Sequence, residues 1–310
     1  MGKFIKTCLI VGVICVVAGI AASSTGIFKG GLTQLKEEVL NGEWFVEFGE
    51  HTEIEPFFEL EEQHYFKEDA LVNVDMEKVQ DTFSEDDVQQ LHIKSAGVTV
   101  VLTEHEGEGI FIEANKVHEY QAYLEDGELH IIARGQNGQN LGKGEVKVSV
   151  PSSLCNSGAV DLEIESAASV VTFDKLIAKD VELEVSAGTI SWKELTAGEL
   201  SVEMAAGTVN GTNTTVTGET DIKVSAGTIT LTGVLGSETE IETTAGKVEI
   251  ALGDTFKAYN YDISCAGGSV TIGDQVVEGI AKTAQLEHGA IKHIDIECSV
   301  GAVNISFAEK

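Results

Sequence analysis

The stretch VSAGTISW at residues 185–192 returns down the chain in altered form: KVSAGTITL at 223–231, and also EMAAGTVNG, ETTAGKVEI, SCAGGSVTI and CSVGAVNIS. Aligned on the small corner residue, the units centre on Val98, Ser169, Gly188, Gly207, Gly227, Gly246, Gly268 and Gly301. Successive gaps are 71, 19, 19, 20, 19, 22 and 33 residues. A period of about 20 residues implies stacked units, because each is too short to bury an apolar face alone.

Columns through the alignment give the local structure. Five places before the corner stand Ile93, Ile164, Leu183, Val202, Ile222, Ile241, Ile263 and Ile296. Two places after it stand Val100, Val171, Ile190, Val209, Ile229, Val248, Val270 and Val303. Four places after it come Leu102, Phe173, Trp192, Leu231, Ile250, Ile272 and Ile305, with Gly211 the exception. Alternation with period two on both sides of a corner predicts two short strands per unit, each with one buried face. Hairpins would need tight two- to five-residue turns between partners, whereas identical columns in phase favour parallel stacking. The expected fold is all-β: a parallel β-solenoid of about eight coils over residues 91–310. The long first gap contains GIFIEA, YQAYLEDGELHIIARG and EVKVSVP, which alternate too and predict diverged coils or a capping sheet.

The chain opens differently. Lys3 and Lys6 precede an uncharged run from Thr7 to Phe28, 22 residues long, enough to cross a hydrocarbon core of roughly 30 Å. Residues 1–28 are therefore expected to form a transmembrane helix, with a cleaved export signal as the alternative. The flanking lysines place the N-terminus in the cytoplasm and the remainder outside, in the cell membrane as a single-pass protein. Residues 29–90 form an acidic juxtamembrane segment in which aromatics such as Trp44, Phe57 and Phe83 predict some packing.

Charge excludes one class of partner. With 51 acidic and 20 basic residues the formal net charge is −31, so no nucleic acid is expected to bind. The acids are patterned. Six and four places before the corner, from the second unit onward, eleven of 14 positions are acidic and one, Lys223, is basic. Like charges one strand apart repel by on the order of 1 kcal/mol even in water. A bound hard cation would relieve this, with Glu184, Glu203 and Glu242 as the candidate calcium ligands. Water and salt on an exposed face would do so too, and no DxDxDG loop is present. Apart from calcium, no cofactor is expected.

After the corner the outward positions carry Thr189/Ser191, Thr208/Asn210, Thr228/Thr230 and Ser269/Thr271, a neutral hydroxyl face suited to glycan contact. Lys247 and Glu249 interrupt it. Cys265 and Cys298 share the column three before the corner, within disulfide reach only if their coils are adjacent. The eight histidines show no HExxH pattern and no nucleophile–base spacing, so no enzyme is expected.

The lysine-flanked span ending in GIFKGG, then LHIKSAGVTVVLTEHEG, then the SAGTI-type corners closing on CSVGAVNISF, together resemble a bacterial β-strand-repeat family labelled “putative adhesin”, a domain of unknown function. The resemblance implies a solenoid at the cell surface and a non-catalytic adhesive role, binding a glycan or protein. The alternative is an envelope sensor that responds to cations or cationic peptides through the acidic stripe. With only about six residues before the span, such a sensor would require a membrane partner protein.

Overall fold

The computed structural model describes residues 73–135 and 144–308. The expected membrane helix at 1–28 and most of the acidic segment lie outside the described residues.

The described residues are almost entirely strand, organised as two parallel ladders that meet at the corners. Before the corner, the spatial order runs Glu128–Arg134, Gln90–Ala96, Asp161–Ile177, Asp180–Ala197, Glu199–Met204, Glu219–Val224, Glu238–Thr243, Lys292–Cys298 and Tyr259–Cys265, every pair parallel. After the corner, Glu145–Pro151, Thr99–His105, the second halves of the two long strands, Thr208–Val216, Thr228–Val234, Lys247–Leu252, Ala302–Phe307 and Ser269–Ile272 follow the same order. The result is a solenoid-like all-β stack of nine coils among the described residues. Eight are those marked by the corners, and the ninth, 128–151, comes from the long first gap.

All sixteen residues in the two inward columns, from Ile93 to Ile296 and from Val100 to Val303, are buried in one continuous core. Each such side chain contributes about 1.5–3 kcal/mol on burial, which is why the β-branched columns dictate the register. The lone exception in the third column has a packing cause. The Trp192 indole stacks on Phe173 at 5.6 Å and donates from Nε1 to Thr214 Oγ1 at 2.9 Å. It thereby fills the space where a side chain on Gly211 would stand.

The corners are small because they stack on each other. Gly207 and Gly227 have φ of 115° and 117°, and a Cβ on either would lie 2.5 or 2.6 Å from the carbonyl oxygen of the preceding corner glycine. Only glycine tolerates both the backbone angle and the approach.

At each end the coil order departs from sequence order. Coil 128–151 lies outside coil 90–105, and the last coil, 292–307, inserts between coils 238–252 and 259–272. Antiparallel strands then cover the exposed edges. Ile110–Glu125 pairs with Glu128–Arg134 and Glu145–Pro151, and Asn73–Phe83 adds to it in turn. At the far end Gln275–Glu278 and Lys282–Leu286, from the 33-residue gap, pair with Ser269–Ile272 and Tyr259–Cys265. Capping of this kind covers the ends of the parallel stack, on which another chain could template. The sheet therefore begins at least as early as Asn73, upstream of the boundary at 91 expected from the repeats. Phe83, one of the aromatics of the acidic segment, packs against the core.

Candidate functional site

Outward side chains on the pre-corner ladder form the acidic stripe. Glu165, Glu184 and Glu203 are successive register partners, and so are Glu240, Asp295 and Asp262. Of the expected calcium ligands, Glu184 and Glu203 are thus neighbours, while the strand bearing Lys223 separates Glu203 from Glu242. Lys223 ion-pairs with Asp221 at 2.8 Å. Neighbouring like charges add to the effect of burial on the Glu184 and Glu242 carboxyls. Burial, then the charges of neighbouring acids, raises the Glu184 carboxyl above the ordinary glutamate value. Burial also raises Glu242, with Lys223 partly offsetting it.

The head of the stripe is built differently. His92 follows Glu163 in the ladder and His130 follows His92. The His92 ring is buried and held from both sides: Nδ1 lies 2.8 Å from Glu128 Oε1, and Nε2 lies 2.8 Å from Glu165 Oε1 and 3.4 Å from Glu163 Oε1. His130 Nε2 is 3.4 Å from the same Glu128 oxygen, and its ring stacks on Tyr123 at 4.5 Å. Lys94 Nζ lies 2.7 Å from Glu165 Oε1, and Gln90 donates to Glu163 Oε2 at 2.8 Å.

Burial acts to lower the His92 pKa, but the hydrogen bond to Glu165, the Glu163 charge and the bond to Glu128 outweigh it and raise the pKa above 6.5. His130 moves the other way, lowered chiefly by burial and further by the His92 charge despite the opposing pull of Glu128. Burial works to raise Glu165, but the bonds from His92 and Lys94 hold it below the usual range. Burial leaves Glu163 raised, although the His92 charge opposes it.

This cluster was not foreseen from sequence. The signal was there: LHI at 91–93 and LHI at 129–131 are register partners. Extending the acidic column one unit toward the N-terminus would have set His92 beside Glu163.

The post-corner face keeps its hydroxyls in register over three adjacent coils, Thr189–Thr208–Thr228 and Ser191–Asn210–Thr230. The Lys247–Glu249 ion pair, 2.8 Å, ends the run, and Ser269/Thr271 stand two coils further along, beyond Ala302/Asn304. Cys265 and Cys298 are brought together as direct register partners on adjacent coils, both buried free thiols. Burial, then the neighbouring Cys265, pushes the Cys298 thiol up to about 11. Cys155 is buried elsewhere.

Residues 88–294, two thirds of the chain, match the family model described as Toastrack DUF4097. The chain belongs to that family. Toastrack DUF4097 is a domain of unknown function, as the resemblance to the adhesin-labelled repeat family implied. Three solved structures are similar to it at low identity and low TM-score. One is a “putative cell adhesion protein” from Clostridium sporogenes, 14% identical, covering 74% of this chain and 99% of its own, with a TM-score of 0.30. A “putative adhesin” from Bacteroides fragilis is 11% identical over 74% of this chain and 96% of its own, TM-score 0.38. Another from Parabacteroides merdae is 14% identical over 76% and 98%, TM-score 0.24. No curated protein matches this Toastrack chain.

Proposed function

We propose that this Toastrack protein is a non-catalytic cell-surface protein that binds a glycan or protein through its solenoid faces. In this reading residues 1–28 hold it in the membrane as a single span with the N-terminus cytoplasmic and the repeat domain outside. The observation that carries the reading is the three-coil face of Thr, Ser and Asn side chains, fixed in register by backbone ladders. Hydroxyls and amides at a regular spacing of about 4.8 Å offer both donors and acceptors to a repetitive hydroxyl-rich partner. The test uses beads carrying the full chain in detergent, presented to arrayed glycans and to cells. Wild-type beads should adhere, and Thr208→Lys with Thr228→Lys should lose adhesion while melting normally. Wild-type beads that adhere to nothing, or variants that adhere equally, would remove the reading.

A second reading has its own observation: Glu165, Glu184 and Glu203 stand in register on adjacent strands, their like charges helping to raise the Glu184 carboxyl, a face that a cation or cationic peptide would relieve. Here the domain is an envelope sensor acting through a membrane partner. A calcium-specific rise in melting temperature over sodium chloride at matched ionic strength, abolished by Glu184→Gln, Glu203→Gln and Glu242→Gln, supports it. Equal melts in both salts leave the stripe as a solvated face.

A further inference from the structure

We propose that His92, Glu128 and His130 form a binding site for a first-row divalent transition metal of the zinc class. The proposal stands apart from the glycan-or-protein reading of the solenoid faces, and neither fails with the other.

Two sets of potential donors flank the same imidazole. On the Nδ1 side are Glu128 and His130, and on the Nε2 side are Glu163 and Glu165, with donor atoms in each set within 4.8 Å of one another. Three features select the Nδ1 side. First, it offers two imidazoles and one carboxylate, the donor set that zinc and its neighbours take in open sites. The other side offers only carboxylates beside the shared imidazole. Second, Lys94 already sits 2.7 Å from Glu165 Oε1, so a cation on that side would meet an ammonium ion. Third, Nε2 of His92 is 2.8 Å from Glu165 Oε1, where its N–H donates to the carboxylate. Nδ1 is equally close to Glu128 Oε1, so the metal-free ring donates from both nitrogens; a metal would displace the Nδ1 proton while Glu165 holds the one on Nε2. A carboxylate behind a ligating histidine is the usual outer partner of such sites.

The spacing also fits. Metal–ligand bonds of about 2.0–2.1 Å in tetrahedral geometry set donors roughly 3.4 Å apart. Glu128 Oε1 and His130 Nε2 are 3.4 Å apart already. Nδ1 of His92 and Glu128 Oε1, at 2.8 Å, need to part by roughly half an ångström. The elements that hold the donors are stiff: His92 and His130 lie on paired central strands, and Tyr123 stacks on the His130 ring. Glu128 opens the strand after the Asp126–Gly127 turn, so its side chain remains reachable from solvent.

The test is a zinc titration of the full chain, purified in detergent and stripped with chelator, read by competition with a chromophoric zinc indicator. One equivalent should bind tightly, excess calcium should not displace it, and X-ray absorption should show nitrogen and oxygen neighbours at about 2.0–2.1 Å. Glu128→Gln and His130→Gln should each weaken binding at least tenfold to a hundredfold. Both residues are only partly buried, so these variants should keep the wild-type melt, unlike His92→Gln. No saturable equivalent would overturn the proposal, as would zinc retained by both variants. Loss in Glu163→Gln with retention in His130→Gln would overturn it too, moving the ion to the other side of the ring.

Discussion

Replacing Gly207 by alanine tests the corner logic directly. At φ 115° an L-residue is strained by about 1–3 kcal/mol. The new Cβ would also lie 2.5 Å from the Gly188 carbonyl oxygen and 2.9 Å from its nitrogen, both main-chain atoms that no rotamer change can move. Clearing them requires the corner to lift roughly half an ångström from the coil beneath. That would stretch the Ala206 N–H bond to the Ser186 carbonyl, now 3.1 Å, beyond useful length. Losing one such bond costs about 1 kcal/mol, for a total of roughly 2–4 kcal/mol. Gly253→Ala is the control, since a Cβ there meets nothing closer than Val234 Cγ2 at 3.5 Å and its φ lies outside the left-handed range. Urea melts of the full chain in detergent give the global loss, and hydrogen exchange at the Thr208 and Val209 amides gives the local one. A Gly207→Ala protein within about 0.5 kcal/mol of wild type would refute the stacked-corner account. An equal loss in the Gly253→Ala control would refute it as well.

Stability of the chelator-stripped chain should rise from about pH 8 to about pH 5.5. Glu163, Glu184 and Glu242 have folded values raised above 4.5, so the penalty of their charged forms disappears as pH falls through those values. His92, raised above 6.5, contributes stability that is fully present below that value and lost as pH climbs through its folded one. His130, lowered, costs stability as pH falls below 6.5 and offsets part of the rise, one lowered imidazole against His92 and three raised carboxyls. Glu165 and Glu104, both lowered, withdraw their contribution only as pH falls below 4.5. A calorimetric scan with a flat or alkaline-rising melting temperature would contradict this. Cys265 and Cys298, as register partners, should join when the chain folds in an oxidising compartment, the intact mass falling by two hydrogens. The same oxidant added to the folded, reduced protein should act slowly, because the Cys298 thiol at about 11 is almost wholly protonated at neutral pH. Alkylation and mass spectrometry on both samples settle the pairing, and two free thiols after oxidative folding would exclude it.

The legible part of the fold was whatever every coil needs. The buried columns and the glycine corners recur because each coil must bury the same face against the same neighbours, and register transmits that requirement from one strand to the next. What the repeats could not carry was the order of the coils at the ends. Any coil fits any neighbour with the same columns, so Ile296 satisfies Ile241 as well as Ile263 does, and it sits between them. Only the length of the 273–291 connection permits the last coil to insert, and the pattern of apolar residues does not record it. The ninth coil was obscured for a related reason: Ala133 and Arg134 lead into a longer connection in place of the small-small-Gly corner.

The same reasoning locates the chemistry. A column that never varies is fully explained by packing, so a departure from a column has a local cause. Gly211 departs to admit Trp192, a matter of volume. Lys223 departs within the acidic stripe and ion-pairs with Asp221, a matter of charge. His92 and His130 depart at the head of that stripe, and neither volume nor charge requires imidazole there, since lysine would neutralise the acids as Lys94 and Lys223 do. Imidazole differs from ammonium in carrying a lone pair and in a ring that can face two partners at once. Two such rings at 5.1 Å, sharing one carboxylate, are the place in this solenoid where residue identity exceeds what the fold demands.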